Sequence, residues 1–274
     1  KFYDHYWDSI ETNIKKVINS IGANLSKPKN QRWYIVPGEE SLYSKGFLSG
    51  LYDFIAYLSV NKKIFTSCEV QRLRNLQYEC IHTIFKNSDW RTLATLEEYM
   101  DSIIEWEPNI FLNCSNDCLS HDDKIFRDLL NEEIEGIIPI NYGEHWCQGL
   151  QKLAYLNEFF NSSLNILFRL SKIQPKITQY IIMSLLPWNP LTQANITTRY
   201  NIVRNFLRDD FELGWKIAIQ LLPNKIQSGQ YLEGLKYRGP IDRVDVSKAE
   251  YIDISKQYFD LLINYIKMPE YNYK

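Results

Sequence analysis

Nowhere does the sequence approach the roughly twenty consecutive apolar residues that a membrane-spanning helix needs. The longest apolar candidate, Ile181–Leu186, is far too short. A surplus of one charge is also lacking. Lysine and arginine number 31 against 33 aspartates and glutamates, a formal charge of −2, so the chain as a whole offers no field for phosphate backbones and nucleic-acid binding is demoted. The basic residues are interleaved with acids, as in KIFRDLLNEEIE from Lys124 to Glu135, which reads as the solvated face of a helix. Cysteine occurs five times, an odd number without framework spacing, so disulfides are not needed for stability and a reducing cytoplasm is the simpler setting. The sequons at Asn113, Asn161 and Asn195 are then irrelevant. No P-loop, G-x-G-x-x-G, H-E-x-x-H or G-x-S-x-G motif occurs, and no cofactor is implied. An initiator methionine and a signal peptide are missing before Lys1, which points to a piece excised from a larger protein.

What the chain does have is apolar material in helical order. Of its 274 residues 45% are hydrophobic and 23% charged, which excludes disorder and allows burial of on the order of three quarters of the unfolded surface. Aromatics reach 14%, including 19 Tyr and 7 Trp; such side chains fill gaps between helices or face a partner.

The centre of the pattern is Pro187–Pro223. Ile196, Tyr200, Val203 and Leu207 fall on one helical stripe, and Phe211, Trp215, Ala218 and Leu222 on another. Asp209 or Asp210 caps the second helix, and Pro223 ends it, so a helical hairpin closes here. Upstream, His5–Ile21 reads as a helix, Asn24–Arg32 as a loop, and Trp33–Val36 as a lone extended segment. Leu42–Leu58 reads as a central helix on which Gly46 and Gly50 would let another helix approach closely. Thr66 with Glu69, Thr95 with Glu98, and Ser247 with Glu250 match capping boxes. The second of these opens a helix that Pro108 closes, and Asn109–His121 follows as a loop. The next helix runs to Glu135. Trp146, Leu150, Leu153, Asn157 and Phe160 give a further stripe, as do Leu164, Leu167 and Phe168, and then Ile177, Tyr180, Ile181 and Leu185. Residues Asn224–Asp245, with Gly229, Gly234, Gly239 and Pro240, lack a period; a loop of this length is functional or mobile. A terminal helix carries Tyr251, Ile254, Tyr258, Leu261 and Tyr265 to Pro269.

The expected fold is therefore all-α over residues 1–274, with antiparallel helix pairs stacked as an irregular α-solenoid or gathered into a single helical domain, and one long loop near 224–245. No repeat of fixed length is present.

Four constellations bear on chemistry. Cys114, Cys118 and His121, with His145 and Cys147 beyond, sketch a zinc site, but the spacing lacks the tight knuckle of structural zinc pairs and buried thiols are common. His145 and Cys147 are alternate residues of a helix and point in different directions, which removes a cysteine–histidine dyad. The pairs Asp122-Asp123, Glu132-Glu133 and Glu97-Glu98 read as caps and solvated charges, and Trp33, Trp90, Trp106, Trp188 and Trp215 as core rather than a ligand cage.

Several phrases nevertheless resemble a known kind of protein. They are YSKGFLSGLYDFIAYLS within Trp33–Leu58, WCQGLQKLAYLNEFFNSSLNILFRL from Trp146 to Leu170, and, most specific, Pro187-Trp188-x-Pro190-x-Thr192-x-Ala194 followed by Arg199, Gly214-Trp215 and Leu221-Leu222-Pro223. Together they resemble the helical segment towards the C-terminus of large bacterial anti-phage proteins, in which a sirtuin-like or nuclease effector and a STAND-type NTPase precede the array. The likeness covers roughly two thirds of the chain. It departs from the pattern at Gly149–Tyr155 and at Gln174-Pro175-Lys176. The resemblance implies a non-catalytic sensor or scaffold that recognises a protein partner, such as a phage protein, and couples to other domains of its own full-length chain; it supplies no catalytic residue. On that reading Tyr231, Tyr237, Arg238 and Arg243 of the long loop are the partner-binding candidates, because tyrosine and arginine are enriched at interface hot spots. A passive interdomain spacer or oligomerisation module is the second reading, and a metal-dependent or cysteine enzyme the third.

Overall fold

The computed structural model describes residues 4–18, 23–28, 31–32, 42–64, 69–86, 89–134, 140–223, 233–241 and 244–268. Among them the fold is all-α, as the periodicity requires. The helices are α1 (Asp4–Ile18), α2 (Lys45–Val60), α3 (Val70–Lys86), α4 (Trp90–Leu96), α5 (Met100–Trp106), α6 (Pro108–His121) and α7 (Lys124–Asn131). A minimal antiparallel pair follows, β1 (Glu133–Ile134) with β2 (Ile140–Asn141), in the register Glu133 opposite Asn141 and Ile134 opposite Ile140. Then come α8 (Glu144–Tyr155), α9 (Phe160–Ile173), α10 (Thr178–Leu185), α11 (Ile196–Asp209), α12 (Phe211–Gln220) and α13 (Lys248–Ile266). Packing divides the chain into two compact units: Lys1–Gly149 with Leu235–Gly239, and Leu150–Gly234 with Pro240–Lys274. The long loop thus lends five residues to the first unit. The Trp33–Val36 segment, Thr66 of the first expected capping box, Tyr231 and Arg243 lie outside the described residues.

In the first unit α2 packs on α5, α3 on α1 and α6, and α4 on α7. Its core is aromatic: the Trp146 ring stacks on Phe111 at 5.3 Å and meets Phe85 and Phe126 edge-on at 5.7 and 5.8 Å. The buried indole still finds an acceptor, donating to the Leu93 carbonyl at 3.4 Å.

Three local expectations are corrected here. Residues 109–121 form a helix, and Pro108, expected to end one, begins it; the first position of a helix needs no N–H and suits proline's fixed φ. The apolar stripe of α6 is interrupted by Cys114 and Ser115, both buried, which hides it from a search for large hydrophobes. Thr95 does not cap. Its hydroxyl donates back to the Arg91 carbonyl inside α4 at 2.8 Å, and Asp89 caps instead, accepting from Arg91 N at 2.8 Å and Thr92 N at 3.3 Å. Gly46 and Gly50 face solvent, and a Cβ on either would meet nothing within 4 Å.

In the second unit the hairpin is built as its sequence demands. Asn195 caps α11, accepting from Thr198 N at 2.9 Å. Asp210 ends α11 through its N–H to the Phe206 carbonyl at 3.0 Å and starts α12 by accepting from Leu213 N at 3.1 Å. One residue serves both helices, so they must come very close. At Gly214 an added Cβ would lie 2.6 Å from Leu207 N and from Phe206 C, which only glycine permits. The stripe expected from Trp146 to Phe160 is two helices. The carbonyls of Ala154 and Tyr155 at the end of α8 are taken by Thr192 Oγ1 at 2.9 Å and Gln193 N at 2.8 Å, so a distant segment satisfies groups that would otherwise have continued the helix. Phe168 of α9 and Phe206 of α11 stack at 4.2 Å and nearly parallel, 5° apart. The Ser247–Glu250 capping box opens α13 as expected, with Glu250 N on Ser247 Oγ at 3.2 Å and Ser247 N on Glu250 Oε2 at 2.9 Å.

Candidate functional site

Of the four loop residues, Tyr237 and Arg238 are described, and both are held by the first unit. Leu235 and Gly239 pair across a tight turn that Gly239 closes at φ 112°, a conformation that side chains disfavour. The turn sits on Glu105, whose carboxylate has no solvent exposure. Glu105 accepts the Tyr237 N–H at 3.1 and 3.2 Å, and its own carbonyl accepts from Arg238 Nη2 at 3.1 Å. Burial pushes the Glu105 carboxyl above its ordinary value, against the backbone N–H groups of Tyr237, Lys236 and Arg238, which hold it down. Lys236 pairs with Asp53 of α2, which also accepts from Ser102 Oγ at 2.5 Å. The half-buried Tyr237 ring meets Tyr57 edge-on at 6.0 Å. The Tyr237 amide and the Lys236 ammonium are therefore engaged by the turn's own unit, while the Lys236 side chain stays 57% exposed and Arg238 Nε has no hydrogen-bond partner among the described residues.

Cys114, Cys118 and His121 lie along one side of α6 and border a cleft of about 460 Å³, completed by His82, Phe85, Asp117, Asp122 and Ile125. Cys114 Sγ is 3.8 Å from both ring nitrogens of His82, while His121 Nδ1 and Cys118 Sγ turn to the carbonyls of Asp117 and Asp122. Among the described residues no three His, Cys, Asp or Glu side chains converge as a metal ion would require. Burial pushes the thiols of Cys114 and Cys118 up to about 11 and that of Cys80 up to about 12. Cys147, wholly enclosed, is raised further, and these thiols stay protonated at neutral pH. His145 points away from Cys147 to the buried Glu97, 3.6 Å from its Oε1, and that contact raises the imidazole pKa.

One surface was not singled out by sequence. On α13, Ile252, Phe259 and Ile266 are 54%, 53% and 48% exposed. They recur every seventh residue, about 100° round the helix from the buried stripe of Tyr258, Leu261 and Tyr265. The seven-residue spacing was visible in the sequence, hidden behind the stronger stripe beside it.

Comparison of the chain with protein-family models, with curated proteins and with solved structures finds no match in any of the three.

Proposed function

We propose that this chain is a helical recognition module that binds a protein partner through the outer face of α13, which accepts an amphipathic helix of that partner. The observation that carries the reading is the exposed row Ile252, Phe259 and Ile266. A seven-residue apolar repeat matches the seam along which a second helix packs, and the exposed Asp253, Lys256, Asp260 and Lys267 flank it with both charge signs, as a polar rim would. The role implied by the resemblance, a sensor coupled to an effector elsewhere in a bacterial anti-phage protein, is compatible with such a face and is part of the proposal. The anchored turn at Tyr237 and Arg238 then serves as a fixed neighbour of α2 and α5 rather than as the docking element.

A photo-crosslinking residue placed at Ile252 or Phe259 of the full-length protein in its native host tests this. Adducts to one protein, mapping to a helix of it and absent when the probe stands at Asp260, support the reading. Equal adducts from 259 and 260, or none from either, remove it.

A further inference from the structure

The inner face of α13 holds an arrangement that the packing does not explain. Arg199, in the first turn of α11, is only 4% exposed, yet its Nε and Nη1 have no hydrogen-bond partner among the described residues. Among the described residues it makes no ion pair. A buried guanidinium with idle donors is costly, because the water it gave up is not replaced. Besides its hairpin partner α12, α11 packs on α13, and the facing side of α13 repeats the theme. Tyr258 is fully buried, and Ser255, one turn earlier on the same side, is 8% exposed; among the described residues neither hydroxyl has a hydrogen-bond partner. Arg199 and Tyr258 lie within electrostatic reach of one another: burial lowers the affinity of Arg199 for its proton, and Tyr258 and then Glu250 oppose that. Glu250 is committed to the capping box with Ser247. About two turns of α13 thus present, on one side, Tyr251, Ser255 and Tyr258, and the half-exposed Tyr251 meets Trp188 edge-on at 6.5 Å where that side nears the surface.

Donors from a guanidinium and two hydroxyls, buried on the facing helices α11 and α13 and lacking an acceptor among the described residues, are the complement of an oxyanion. We infer that Arg199, Tyr258 and Ser255 form a binding site for one phosphate or carboxylate group, set between α11 and α13 of the second unit. Tyr258 points about 100° away from Phe259 of the outer row, while Ser255, one turn from both Ile252 and Phe259, lies between the two faces of α13.

The test is thermal unfolding of the whole chain in inorganic phosphate, in acetate and in chloride at equal ionic strength, with isothermal titration of the same salts. The expected result is a saturable rise in Tm in phosphate, in acetate or in both, over chloride; which salt acts identifies a phosphate or a carboxylate ligand. Arg199→Met abolishes the rise. Tyr258→Phe, which removes one hydroxyl and leaves the ring packed, weakens the titrated affinity roughly tenfold, the loss of one charge-assisted hydrogen bond. Identical unfolding in all three salts overturns the inference, and so does a rise that survives Arg199→Met. If Arg199→Met does not fold, Tyr258→Phe and Ser255→Ala decide alone, and an affinity unchanged in both overturns it.

Discussion

Glu105 and Tyr237 stand 132 residues apart in the chain and meet through two contacts, the Tyr237 N–H resting 3.1 and 3.2 Å from the two oxygens of a carboxylate that no solvent touches. A side chain here plays the part that a neighbouring strand plays in a sheet, accepting from consecutive backbone amides of a turn. Glu105→Ala leaves those amides without an acceptor, and we expect a loss of about 1–3 kcal/mol of stability, read by urea unfolding. Glu105→Gln keeps one acceptor oxygen and loses less. A Glu105→Ala protein as stable as the wild type would show that the turn is held by its ring contacts alone.

The pH dependence follows from the same carboxyl. Its folded pKa lies above the ordinary value of 4.5, with burial as the chief cause. The folded state therefore holds the proton more tightly than the unfolded state does, and stability from this group rises as pH falls through the folded pKa and levels off below 4.5. We expect the wild type to gain on Glu105→Gln across that window. A difference between the two proteins that is flat with pH contradicts the assignment.

His145 adds a separate, weaker dependence. Glu97 raises its pKa, so the stabilisation is complete below the unfolded imidazole value and disappears as pH rises through the folded one. Half the His145 side chain is exposed, which limits the effect to under about 1 kcal/mol. His145→Gln should flatten this part of the profile, and nuclear magnetic resonance titration of the ring should give a midpoint above the ordinary 6.5.

Two glycines make a matched pair. Gly214→Ala places a methyl group 2.6 Å from the backbone of Leu207 and Phe206, and forcing α11 and α12 apart should destabilise the chain by about 1–3 kcal/mol. Gly50→Ala puts the same methyl into open solvent within α2 and should stabilise it by about 0.5–1 kcal/mol. Thermal unfolding of both variants separates close approach from helix propensity; similar shifts of one sign would contradict the packing described.

Much of this architecture was legible in residue order. The Asp210 hinge and the Ser247 box each depend on contacts within one turn of chain, which sequence spacing reports directly; of the hairpin stripes Val203, Leu207 and Ala218 are buried, while Ile196, Tyr200, Phe211, Trp215 and Leu222 are only partly so. What stayed hidden depends on distant partners. Helix α6 was missed because small residues, Cys114 and Ser115, occupy its buried face, and the end of α8 because Thr192 and Gln193 supply its caps from outside. The anchoring of Tyr237 and Arg238 needed Glu105, a lone acid in an apolar stripe. A charged residue at a core position of a helix is the sequence signal that could have pointed to it.

On the proposed function, protein covers the row Ile252, Phe259 and Ile266 in the working assembly. Cysteine placed at Phe259 or, one residue on, at Asp260 measures this directly, by maleimide labelling read at each site by mass spectrometry. In the purified chain both positions should label equally, since both are exposed. In intact native cells the cysteine at 259 should be protected and the one at 260 labelled; equal labelling of the two in cells would contradict the account.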